Sequence, residues 1–525
     1  MKKVSIYLVT LLTIIITSCN NNSATDNSTA DATVLVKEYS GPPYTIQLVE
    51  FVNNSLPDLH SYTHATYGDK IVMLAGRTNG LHAGTYKFNR DNANDTIYVI
   101  DTKGWDNNLT NWQVHSVAAK AITSINGINN DHFLANNAEF FTKDSVLYML
   151  GGLLGASNIL AKPVVTMPYI TAINLPALIT SVISKQAMPA GSIRQVVDSS
   201  FAITGGELSV IADTVYLVFG WNFPKDLYTH KVQSFTFKDD GHTITINHIP
   251  VCPTCKDNYV DSPKTATGGN FRRRDGSMTA MIDPGANEKH SLLYFAGVFK
   301  NGNTNFTSPV WIGGNEAVED TNFVMLSNVY TCQVVPVYSK SRKVCYATML
   351  GGMKNAQYTG GAITQPTLLQ YKGANANTTL TPPDLILFTS IPFSNQFTTI
   401  SVNAAHQYAQ YLLPDSFPNS KIPYTLPFVP ATATTKAIPA LVVPAGSVFY
   451  NGSESEITWA VNKSALSNGV IDYDAFITDN PAGGNIGYLH GGILSYQPNV
   501  FGANSVHYSI ASNRIFAIRI VPVAK

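Results

Sequence analysis

Arg272, Arg273 and Arg274 follow Phe271 without a break, and adjacent guanidinium forks are the groups that grip a carboxylate or an acidic sugar; a solvated turn is the plainer reading of the same run. Trp221 comes directly after Gly220 with Phe223 close behind, and Phe299 and Lys300 follow Gly297 in the same manner. Rings so placed can stack on a sugar or base, or cap the end of a strand. Arg77 and His82 trail Gly76. His82 and His490 have no second ligand-type residue at a fixed spacing, so no metal site is expected from them. There is no Gly-x-Ser-x-Gly, no His-Glu-x-x-His, no phosphate loop and no Asp-rich calcium loop. The residues alone therefore point to no catalytic group and no cofactor.

What the candidates share is a place just after a glycine, and the glycines recur. The runs Lys70 to Gly76, Ser145 to Gly152, Thr214 to Gly220, Ser291 to Gly297, Val344 to Gly352 and Ile486 to Gly492 are each a stretch of strand-forming residues ending in glycine, often a paired one. A tight polar turn precedes each, such as Tyr67-Gly68-Asp69 or Lys143-Asp144, and a further strand precedes the turn. Repetition at several dozen residues marks propellers and solenoids, whose units cannot bury their own apolar surface. Tyr148, Tyr216, Tyr294 and Tyr488 fall inside the repeated strands and are expected in the core.

The first copy continues with Asp95 to Asp101, a strand carrying Tyr98, and then Asn111 to His115, a strand carrying Trp112. With Ala75-Gly76 in the diglycine position and these two aromatics, the stretch from His60 to Val117 resembles a kelch repeat. The resemblance implies a four-stranded antiparallel blade of a β-propeller and says nothing about activity. Other copies depart from it: Gly220 and Gly297 lack the first glycine, and most lack the tryptophan. The expected fold is all-β, a six-bladed kelch-like propeller, with seven blades as the alternative because the last interval between glycines is long. A Pro-rich segment from Leu413 to Pro444 favours an insertion around 400–470 instead. Tyr44 to Phe51 is expected to supply the fourth strand beside Asn513 to Ile520, so that the two ends close the ring and leave no free edge. In such a meander the loop after each glycine and the crossover between blades leave from one face, where Arg77, His82, Trp221, Phe223, Phe299 and Arg272 to Arg274 would gather.

Lys2 and Lys3, an apolar stretch from Val4 to Ile16, and Ile16-Thr17-Ser18-Cys19 resemble a bacterial lipoprotein signal, with Cys19 as the lipidated residue. Residues 1–19 are then the signal, 20–43 a polar tether, and 44–525 one propeller domain. Attachment would be through lipid, with more than one acyl chain, and not through a spanning helix. The lack of aspartate just after Cys19 favours the outer membrane, facing the periplasm or the surface. Asp95-Thr96-Ile97, Asp144-Ser145-Val146 and Asp213-Thr214-Val215 resemble an O-glycosylation acceptor of Bacteroidota, although the same residues simply begin strands. Four further cysteines in an oxidising compartment are expected as two local disulfides, Cys252 with Cys255 and Cys332 with Cys345.

The 525 residues hold 34 basic and 34 acidic side chains, which removes the global field that nucleic-acid binding needs. The sequence thus leads to a lipid-anchored, non-catalytic envelope propeller that holds a glycan or an envelope protein on its long-loop face. The rival is a carbohydrate-active enzyme, mutarotase- or epimerase-like or oxidase-like, with its site in the central funnel. The anchor predicts that Cys19→Ala shifts the protein from the membrane to the soluble fraction on cell fractionation; a variant still held in the membrane contradicts it.

Overall fold

A computed structural model describes residues 41–523 except 53–54, 82–88, 106–110, 158–161, 250–270, 301–303, 314–315, 322, 327, 373–383, 389, 429–435, 461–465, 467 and 501–507. Cys19, His82, Cys252, Cys255 and nearly all of the 20–43 stretch lie outside the described residues. Six antiparallel sheets form a ring, a six-bladed β-propeller. The innermost strands are Thr63–Tyr67, Glu139–Lys143, Glu207–Ile211, Ser277–Asp283, Val334–Ser339 and Glu456–Trp459. The glycine-ended strands are second in every blade: Lys70–Leu74, Val146–Leu150, Thr214–Val218, Lys289–Phe295, Val344–Leu350 and Gly484–His490.

These second strands are buried almost end to end because both of their faces meet a neighbouring blade. Val215 and Leu217 pack back against Phe141 and Tyr148 of blade two, while Tyr216 and Val218 pack forward against Leu292 and Tyr294 of blade four. Comparable clusters fill the other gaps between blades, so no blade has a core of its own. The four tyrosines of the repeated strands are buried as expected.

The paired-glycine position has two unlike halves. The first residue of each pair, Ala75, Gly151, Phe219, Ala296, Gly351 or Gly491, has φ between 54° and 67°, the left-handed well that other residues enter at modest cost. The second, Gly76, Gly152, Gly220, Gly297, Gly352 or Gly492, has φ between 81° and 102°, where an L side chain is strained. This is why the first glycine is replaceable and the second is not. Five of the second glycines also donate their N–H across the gap to the carbonyl just ahead of the next blade's inner strand: Gly76 to Ala135 (3.0 Å), Gly152 to Ile203 (2.8 Å), Gly220 to Arg273 (3.1 Å), Gly352 to Asn451 (2.9 Å) and Gly492 to Leu59 (2.8 Å).

Tyr44–Phe51 pairs with Ile515–Pro522 through eight residues, from Tyr44 opposite Pro522 to Phe51 opposite Ile515, and completes blade six. Arg514 Nε donates to Glu50 Oε1 at 2.6 Å and ties the two ends together in a buried ion pair. Of the long late segment, Gln396–Asn403 and Tyr408–Ser416 are the third and fourth strands of blade five, with Thr367–Lys372 added outside them. The connection between the first two strands of blade six is enlarged. Its Ile471–Asp472 pairs in parallel with Val337 and Tyr338 on the channel-facing edge of blade five, and Asn468 Nδ2 donates to Met281 O of blade four at 3.4 Å.

The expected Cys332–Cys345 disulfide is corrected: both are free, buried thiols. Hairpin register sets Cys345 opposite Tyr338, which leaves Cys332 roughly 20 Å farther along the blade at ~3.4 Å per residue. Cys332 instead accepts from Asn328 Nδ2 at 2.9 Å, and Cys345 lies 3.6 Å from Met281 Sδ.

A methyl group on Gly492 would sit 2.7 Å from Ser453 O, whereas one on Gly241, at φ 87°, would meet nothing within 4 Å. In urea unfolding, Gly241→Ala should cost about 1 kcal/mol from strain alone and Gly492→Ala about 3 kcal/mol from strain plus crowding. Equal losses would contradict the role given to the second glycine.

Candidate functional site

The lead-ins to the inner strands converge on the central channel, where a cavity of about 360 Å³ opens among them. Ser61, Asn137, Gly205, Asp275 and Glu454 begin these lead-ins with φ between 48° and 63°, a left-handed residue at the same place in five blades. Two residues on, Glu139, Glu207 and Glu456 stand opposite Leu150, Val218 and His490, each two places before its second glycine. They are equivalent positions of blades two, three and six. With Asp275 and Glu454, five carboxyls line one cavity.

Burial and neighbouring charge act on Glu139, Glu207, Asp275 and Glu456. Burial first, then the charges of Asp275 and Glu456, push Glu139 up to about 8, opposed by a hydrogen bond from the Gly206 backbone. Glu207 is raised well above the usual carboxyl range by burial and by Glu139, Glu456 and Asp275. Asp275 is raised to about 6 by burial, against the pull of Arg274, and Glu456 is raised by burial against His64. No salt bridge reaches Glu139 or Glu207 among the described residues, so they shed charge by keeping a proton.

Glu454 is held differently. Its Oε2 accepts from Ser61 and lies 2.8 Å from His60 Nδ1, and its Oε1 accepts from Tyr330. The buried Arg77 guanidinium lies behind it, and burial lowers that group to about 10 against the pull of Glu454. Arg77 is thus part of the scaffold behind the acid cluster and not an exposed rim group.

The other candidates meet on the rim of blades three and four. Arg274 lies 3.8 Å from the Trp221 ring and 4.4 Å from the Phe299 ring, and Arg272 lies 3.8 Å from Tyr228. Phe223 packs edge-on against Trp221 at 4.6 Å. Arg273 is fully buried, with Glu319 at 2.6 Å and the Ser308 carbonyl at 2.6 Å, and serves the blade. Adjacent residues of the arginine run therefore point opposite ways.

Sequence reasoning missed the acid ring. Its signal was a glutamate opening the strand before the turn, in Asn137-Ala138-Glu139, Gly205-Gly206-Glu207 and Glu454-Ser455-Glu456. A larger hollow of about 480 Å³ flanks blades four and five, where His406 stacks on Trp311 at 5.5 Å. Its His406 is already bound to Asp283 at 2.7 Å, so the channel is the better site. Among the described residues no three His, Cys, Asp or Glu side chains converge to hold a metal ion, and no helix is long and apolar enough to cross a membrane.

No family model and no curated protein matches the chain. Among solved structures, a chain titled "Structure of YjhT" is similar at 11% identity and a TM-score of 0.34, over 68% of this chain and 95% of that one.

The raised carboxyls fix the sign of a pH effect. Glu139 keeps its proton to about pH 8 when folded but releases it near its ordinary 4.5 when unfolded, so its contribution to stability is full below 4.5 and is lost as pH rises toward 8. Glu139→Gln should flatten the fall in unfolding free energy over that window, by at most about 1.4 kcal/mol per pH unit and less where cavity water screens the site. Identical pH profiles for the two proteins would contradict a proton held there.

Proposed function

We propose that this chain is a lipid-anchored, kelch-type propeller of the cell envelope that binds a glycan without turning it over, in the acid-lined cavity on its long-loop side. One observation carries the reading: carboxyls from four blades face a cavity of about 360 Å³, large enough for a small ligand. Protonated carboxyls both donate and accept, which matches the hydroxyls of a sugar. The aromatic rings of Phe140 and Trp459 in the same lining supply apolar faces.

A second reading rests on the same groups, since a neutral carboxyl beside an ionised one is what acid–base chemistry on a sugar ring uses. Binding leads because the candidate bases are engaged, Asp275 by Arg274 at 3.5 Å and Glu454 by His60, Ser61 and Tyr330.

The full-length protein in detergent, applied to a glycan array, should bind a subset of saccharides, and Glu207→Ala should weaken that binding about tenfold by removing one or two hydrogen bonds. Failure to bind any saccharide removes the reading. Faster anomer interconversion of a bound reducing sugar, followed by NMR, would favour the second one.

A further inference from the structure

We infer that the glycan is an oligosaccharide chain whose terminal unit enters the acid-lined cavity while the following units lie on the aromatic shelf of blades three and four. The inference rests on the proposed binding role and names the form its ligand takes.

Trp221 and Tyr228 are buried and support the shelf from below, and Phe299 is its exposed ring. Phe299 is 37% exposed and has φ 63°, a conformation an aromatic residue adopts at a cost. It is held there from outside the chain's own preferences: Arg272 Nη1 donates to the Phe299 carbonyl at 2.6 Å, and the Arg274 guanidinium lies 4.4 Å from its ring. Beneath it, the Trp221 ring lies 3.8 Å from the same guanidinium, and Tyr228 stacks on Trp221 at 5.8 Å. The rings and guanidinium planes make a rigid platform with little side-chain entropy left to lose on binding.

The platform runs into the cavity. Arg274, which lies against both rings, also approaches Asp275 Oδ2 with its Nε at 3.5 Å, and Asp275 is one of the carboxyls of the cavity wall. The Asp275 carboxyl is seated against Gly205, where any side chain would collide with it, and this fixes the carboxyl at the cavity wall beside Arg274. A ligand confined to the cavity leaves Phe299 without a role. One that continues out over Asp275 and Arg274 meets the exposed ring next, with the flat apolar face of a pyranose against it.

Calorimetric titration of the full-length protein with cello-, laminari-, malto- and manno-oligosaccharides of increasing length tests this. For the series that binds, affinity should rise at least about tenfold from the monosaccharide to the longer members, the scale of one good ring contact. Phe299→Ala should abolish that rise and leave monosaccharide affinity unchanged, whereas Glu207→Ala should weaken every length. Phe299→Asn, which suits the left-handed backbone, should behave like Phe299→Ala and guards against a folding defect. An affinity independent of length, or a rise that survives both Phe299 variants, overturns the inference while the binding role stands. Absence of binding to every series, monosaccharides included, overturns both.

Discussion

The ring holds together through one backbone hydrogen bond made over and over. The amide of the second glycine reaches across to the strand lead-in of the next blade, and the last of these bonds, from Gly492 to Leu59, joins blade six to blade one. The bond needs a backbone turned to a φ that only glycine holds without strain, and it needs an empty space where a side chain would be. The lead-in that receives it is itself forced into a left-handed step at Ser61, Asn137, Gly205, Asp275 and Glu454. That step turns the chain into the channel. The joint that fastens the blades is also what places Asp275 and Glu454 at the cavity.

Much of the scaffold was legible because its determinants are local. An apolar run, a polar turn and a terminal glycine can be read within a dozen residues, and they located every second strand and the blade count. The closing pair of terminal strands was legible too, since a sheet short of one strand and a spare strand at the opposite end have one economical solution. The site was not legible in the same way. Glu139, Glu207 and Glu456 become a ring only when the register of three separate hairpins is known, and each alone reads as an ordinary polar residue opening a strand. Register also decided the cysteines, separating Cys332 from Cys345 although a hairpin joins them. The arginine run shows the limit at its sharpest: Arg272 and Arg274 lie on aromatic rings of the rim while Arg273 between them is sealed against Glu319.

Electrostatics in the channel follow from geometry more than from any single residue. Glu139, Glu207 and Glu456 hold equivalent opening positions on the inner strands of blades two, three and six, so the ring brings like residues together. Acids so gathered cannot all ionise, and burial together with mutual repulsion leaves protons on Glu139 and Glu207. Glu456 is raised too, although His64 pulls against burial, whereas Glu454 is bonded to His60, Ser61 and Tyr330. One ring thus carries carboxyls in unlike settings, Glu139 and Glu207 with no ion pair among the described residues and Glu454 bonded to three side chains.

The enlarged connection of blade six reaches back to the two blades before it. Ile471–Asp472 lies along the inner edge of blade five and Asn468 reaches blade four, both at the end away from the long loops. These contacts join blade six to blades five and four at that end, and they span the one gap, between blades four and five, where no second-glycine bond is found among the described residues.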